Sequence, residues 1–309
     1  MKGQSTTERK LPNKKLHIFF ENDNEYIKNA LNNGIIHLDS KSPNNSDLLH
    51  FACLYKNKEI AEYLITTHSD FFQVNKKNDY GSTPLDFACS TLYNNKKSSL
   101  EIIKYLLDIK AKSPAESPIE IIKYLLDIKA DVNLVNKLGY TPLHSACEYN
   151  IDFEAIKCLV DNKTNLNLRD KSGFTPLFSA FRHDSSIEIT KYLIDNKTDV
   201  NLVCNIGSTV LGLLCSITTS SIEMVKYLLD NKANINLPDE DGCTPLHYAC
   251  ENKKINHEII KCLVENKSDV NVKNHINQTP FDLLKHNPQC NEKIIELFTL
   301  GQIDDSLII

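Results

Sequence analysis

The chain has 309 residues and a formal charge of −5, a balance that excludes the basic footprint of a nucleic-acid binder. No run approaches the roughly 20 apolar residues of a membrane span. Arginine stands only at Arg9, Arg169 and Arg182, which leaves few planar forks for bidentate phosphate or carboxylate recognition.

From the N-terminus, Met1 to Lys15 is polar and lacks the apolar core of a secretory signal. Residues 1–13 read as a tail and 14–45 as a degenerate cap whose apolar positions fall between Leu16 and Leu31. A four-residue phrase then begins to recur, first as Asp47-Leu48-Leu49-His50 and again as Thr83-Pro84-Leu85-Asp86. It returns complete as Thr141-Pro142-Leu143-His144, followed one residue later by Ala146. Copies begin at Thr175 and Thr209, each 34 residues after the last, and at Thr244 and Thr279, each 35 after. In the unit from Gly139 to Asn167, Thr141 can cap a helix with Pro142 in its first turn. A second helix carries Phe153, Ile156, Leu159 and Val160 on one face. Neither helix can bury its apolar face alone, so stacking is required.

One interval breaks the period. Thr83 to Thr141 spans 58 residues, 24 more than a 34-residue repeat, and Glu101 to Ala111 recurs verbatim as Glu120 to Ala130. This reads as a tandem duplication of one helix, an insertion near 99–117. Only the second copy leads directly into Asp131-Val132-Asn133, so it is expected to hold the in-register place. Ser followed three residues later by Glu, as at Ser117/Glu120, Ser185/Glu188 and Ser220/Glu223, marks capping boxes for second helices.

A period near 33 residues carrying this phrase resembles the ankyrin repeat. The resemblance implies an all-α solenoid of helix-turn-helix repeats with projecting β-hairpin fingers, about eight units over residues 14–300, and a tail at 301–309. It implies that the phrase His braces the finger, which explains His-x-x-Cys at His50/Cys53, His144/Cys147 and His247/Cys250 without a metal. The family usually ends its second helix with Gly; here the position holds Lys129, Lys163, Lys197, Lys232 and Lys267. Cysteines that follow the repeat register read as small core residues rather than disulfides.

Function is expected to be binding of another protein through the concave face, without catalysis, cofactor or metal. The phrase builds the stack, so specificity belongs to positions that differ between units. The candidates are Lys137, Tyr140, Tyr149, Lys171, Phe174, Arg182, His183, Glu240 and Asp241, because aromatics and Arg most often anchor interfaces. Tyr80, Leu138, Ile206 and Ile276 are further variable finger positions. Tyr140 and Phe174 fit either a partner anchor or a cover over the finger backbone. Leu307-Ile308-Ile309 fits either a PDZ groove or packing on the last helix. The chain reads as a cytoplasmic scaffold or adaptor. Rival readings are a microbial effector acting in the host-cell cytosol and a substrate-recruiting subunit of a larger enzyme complex. The duplicated helix adds weak self-association through its apolar face.

Overall fold

A computed structural model describes residues 24–90, 118–182, 187–217, 221–252, 256–287 and 290–304. The chain divides into two compact units, residues 1–165 and 166–309.

In the first unit the described helices are α1 (Asn24–Asn32), α2 (Leu48–Leu54), α3 (Lys58–Thr67), α4 (Pro84–Ala88), α5 (Pro118–Asp127), α6 (Pro142–Glu148) and α7 (Phe153–Asp161). The phrase opens α2, α4 and α6. Thr141 sits extended at the N-cap (φ −85°, ψ 166°), with Pro142 just inside the helix, where its missing N–H has no intrahelical partner to lose. The Thr141 N–H then donates to His144 Nδ1 at 3.1 Å. Each phrase helix turns Leu, Ala and Cys inward: Leu143, Ala146 and Cys147 are all 0% exposed. Burying one such Leu removes about 1.5–3 kcal/mol of apolar exposure from water. The phrase helices pack in sequence order, α2 on α4 and α4 on α6, and the longer helices run α1, α3, α5, α7 beside them.

The second copy of the duplicated segment holds the in-register place. As α5 it packs between α3 and α7, with Ile121, Ile122 and Leu125 fully buried and Lys58 Nζ 3.7 Å from Glu120. The first copy, Glu101 to Ala111, lies outside the described residues.

The second unit repeats the plan with α8 (Pro176–Arg182), α9 (Ile187–Asp195), α10 (Val210–Ser216), α11 (Ile222–Asp230), α12 (Pro245–Glu251), α13 (His257–Glu265), α14 (Pro280–Lys285) and α15 (Glu292–Asp304). Leu177, Leu211 and Leu246 form its core row. Capping boxes belong to the first helices, at Thr83/Asp86, Thr141/His144, Thr244/His247 and Thr279/Asp282. At Ser220/Glu223 the N-cap of α11 is Ser221, whose side chain makes no cap bond, and Ser220 itself lies outside the described residues. Ser117 and Ser185 lie outside the described residues.

The fingers are tight turns. Among the described residues the only β pairing is an isolated bridge between Lys41 and Asp47. In the turn Asn136–Tyr140, the Asn136 N–H donates to the Tyr140 carbonyl at 3.0 Å and the Gly139 N–H to the Asn136 carbonyl at 2.9 Å. The Asn136 carboxamide oxygen accepts from the N–H groups of Leu138 and Tyr140, so the Asx side chain closes the loop that paired strands would otherwise close. Successive tips are joined: the Lys137 N–H donates to the Tyr80 carbonyl at 2.7 Å. Gly81 shows why the fourth turn residue is Gly: φ is +76°, and a Cβ there would meet the Lys137 nitrogen at 2.9 Å.

The second helices end on left-handed lysines. Lys129, Lys163, Lys197, Lys232 and Lys267 have φ between 63° and 69°. At Lys129 the bonds Lys129 N–H to Leu126 O (3.0 Å) and Ala130 N–H to Leu125 O (2.8 Å) form a Schellman closure. An asparagine of the preceding repeat then bridges each junction: Asn133 donates from Nδ2 to the Lys163 carbonyl and accepts the Asn165 N–H. Asn236 does the same at Lys267 and Asp269.

Candidate partner-binding surface

The phrase residues are consumed by the stack. His247 Nδ1 takes the Thr244 N–H at 3.0 Å while Nε2 lies 3.1 Å from the Gln278 carbonyl of the next repeat, so the ring is neutral with its proton on Nε2. Burial also holds His247 below its ordinary pKa. His50 is fully buried, with Nδ1 2.7 Å from the Asp47 carboxylate and Nε2 3.2 Å from the Ser82 carbonyl. These nitrogens brace turns and are not turned toward an ion, and no group of three or more His, Cys, Asp or Glu converges as a metal site among the described residues.

All ten cysteines are free thiols. Burial pushes the phrase cysteines Cys53, Cys89, Cys215 and Cys250 far up and Cys147 to about 12, which withholds the nucleophilic thiolate.

Asp86 and Asp282 replace the phrase His and fare oppositely. Asp86 is 4% exposed, and its Oδ1 has no hydrogen-bond partner. Burial pushes its carboxyl up to about 7, against the bonds from the Thr83 N–H and hydroxyl. Asp282 makes the same bonds to Thr279 in a half-exposed setting, and the backbone N–H holds it below the ordinary carboxylate value.

In the first unit, Lys137 is exposed on its turn tip, and Tyr140 is half-buried with its ring stacked on His144 at 5.5 Å and 23°. Tyr149 is half-buried at the C-cap of α6, its N–H donating to the Ser145 carbonyl. In the second unit, Lys171 is exposed and its carbonyl accepts from Asn205 Nδ2 at 2.6 Å. Phe174 stacks on buried Phe178 at 5.3 Å and 29°, and the exposed Arg182 guanidinium lies 5.3 Å from the Phe174 ring centroid. Arg182, Phe174 and Phe178 thus form one column that ends at the surface in a delocalised cation. Glu240 and Asp241 are both exposed on the turn Asp239–Cys243. His183 lies outside the described residues.

The turn tips carry a further pattern, outside the residues expected to anchor a partner. Tyr80, Leu138 and Ile206, each 62% exposed, and Ile276 at 73% are the most exposed large hydrophobics among the described residues. All four are the third residue of their turn, two after the residue that opens it and one before the left-handed position. Register was the signal: a residue type that recurs at one offset inside a polar turn marks a shared geometry.

A family model described as ankyrin repeats (three copies) matches residues 16–117, 111–204 and 186–274. The chain belongs to the ankyrin-repeat family. Among solved structures, this ankyrin-repeat chain is similar to the ankyrin repeat domain of Bcl-3, described as a unique member of the IkappaB protein family. The two share 20% identity with a TM-score of 0.63, over 83% of this chain and 99% of that one, a likeness of fold. No curated protein matches. Ankyrin repeats are generally protein–protein interaction modules, and no helix among the described residues is long and apolar enough to cross a membrane.

Proposed function

We propose that this ankyrin-repeat chain is a non-enzymatic scaffold or adaptor that binds a partner protein through its turn tips and the ends of its first helices. Lys137, Tyr140 and Tyr149 serve in the first unit. Lys171, Phe174, Arg182, Glu240 and Asp241 serve in the second, with His183 beside Arg182 in sequence. The observation that carries the reading is a division of labour. The recurring phrase residues are mostly buried and bonded into the stack, whereas the positions that differ between repeats reach the surface as aromatic rings, a stacked guanidinium and unburied carboxylates. Ten free thiols suit a reducing compartment, and we place the protein in the cytosol.

The test is capture of a partner from cytosolic lysate by the immobilised chain, repeated with Tyr149→Ala/Arg182→Ala. Truncating interface anchors costs on the order of 2 kcal/mol. The double variant should therefore lose the partner while its circular dichroism stays that of the wild type. A double variant that retains the partner at wild-type affinity rules these anchors out.

A further inference from the structure

The second unit presents its turn tips in the order Ser172, Ile206, Asp241, Ile276: polar, apolar, acidic, apolar. They form one row joined through the main chain. The Asn205 N–H donates to the Ser172 carbonyl, the Glu240 N–H to the Ile206 carbonyl at 3.2 Å, and the His275 N–H to the Asp241 carbonyl at 2.9 Å. Each tip is held by a left-handed residue behind it, Gly207, Gly242 and Asn277 with φ of 76°, 76° and 66°. The side chains therefore stand on ordered backbone, and little conformational freedom remains to be lost on binding.

The acidic tip has an internal and an external part. Asp239 is spent inside the turn, where Oδ1 accepts the N–H groups of Asp241 and Cys243 and Oδ2 accepts the Tyr248 hydroxyl. Glu240 and Asp241 are exposed, and neither forms an ion pair among the described residues. Two uncompensated carboxylates thus stand between the two isoleucines.

Scattered exposed apolar side chains are ordinary. Here the exposed isoleucines share one register, one rigid backbone ladder and a fixed charge between them. Neighbouring helix layers lie about 8–10 Å apart, so tips two layers apart are separated by roughly 16–20 Å. An extended segment rising ~3.3 Å per residue covers that span in about six residues.

We propose, resting on the protein-binding reading above, that this row receives an extended partner segment. It carries two apolar side chains about six residues apart, with Lys or Arg two or four positions after the first, so that all three face the row. The isoleucines meet the apolar pair, and Glu240 and Asp241 neutralise the basic residues.

The experiment measures fluorescence anisotropy with labelled Gly/Ser peptides of about ten residues. One carries two Leu about six positions apart with Lys between, the second has Glu in place of Lys, and the third has Ser in place of Leu. The Lys peptide should bind at least about tenfold more tightly than either comparator. Ile206→Ser/Ile276→Ser should weaken it about tenfold, and Glu240→Lys/Asp241→Lys should reverse the preference toward the Glu peptide. Equal binding of the Lys and Glu peptides, no binding of either, or indifference to the isoleucine variant overturns the proposal. A partner captured from lysate equally well by the wild type and these variants would also overturn it, while leaving the protein-binding reading standing. That broader reading fails only if no partner is captured at all.

Discussion

Replacing the left-handed lysines by glycine should stabilise the protein. Lys163, Lys197 and Lys232 sit at φ of 63°, 66° and 67°, each just past the end of a second helix. Their side chains are exposed, and none forms an ion pair among the described residues, so removing them sacrifices no packing. An L-residue held left-handed is strained by about 1–2 kcal/mol. Glycine relieves that strain but adds unfolded-state freedom worth about 0.4–1 kcal/mol, leaving a net gain near 0.5–1 kcal/mol per site. The Schellman bonds, such as Lys232 N–H to Leu229 O at 3.0 Å, are main-chain bonds that glycine keeps. Sites in separate repeats are distant enough to add, so the triple variant should gain about 2 kcal/mol. Urea unfolding followed by circular dichroism reads the effect as a raised midpoint. Lys226→Gly, an exposed position inside α11, is the control and should lower the midpoint by about 1 kcal/mol of helix propensity. A fall in midpoint at all three C-terminal lysines would refute the reasoning, because it would mean that strain is not carried where the backbone places it.

The pH dependence of stability should carry the mark of Asp86. Its folded value, raised to about 7, lies above the unfolded one, so its contribution is fully present below the ordinary carboxylate value and is lost as pH rises through about 7. Asp86→Asn should therefore flatten the decline in unfolding midpoint between acid and neutral pH, and an unchanged slope would show that another group is responsible. Deleting Ser99 to Ser117 should leave helicity and cooperative unfolding intact and raise solubility, since α5 already fills the place between α3 and α7. Calorimetry and light scattering on the deletion variant check this, and loss of the cooperative transition would show that the first copy is integral.

Thr141, Pro142 and Leu143 announced a capped helix because capping chemistry is local. The verbatim second copy declared its own position, because only it runs directly into the next turn. The starts of second helices were less legible: Ser220 and Glu223 spell a capping box in sequence, yet the N-cap of α11 is Ser221, whose side chain makes no cap bond.

The candidate surface divides in the same way. The variable positions could be read from the repeat phase alone, since a periodic scaffold exposes whatever departs from its period. The stack of the Phe178 ring and the Arg182 guanidinium on Phe174 could not be read from the sequence, because it depends on how the turn lies against its own helix. Asp86 and Asp282 occupy the same phrase position, yet one carboxyl is raised and the other lowered. Sequence determined the repeat, the caps, the left-handed turns and the register, because these depend on a few neighbouring residues and on steric rules of the backbone. Tertiary structure alone decided stacking partners and carboxyl ionisation, because these depend on how closely each group is packed and how much water it loses, whether to a neighbour one or two helical turns away, as Phe178 and Arg182 are from Phe174, or to the next repeat.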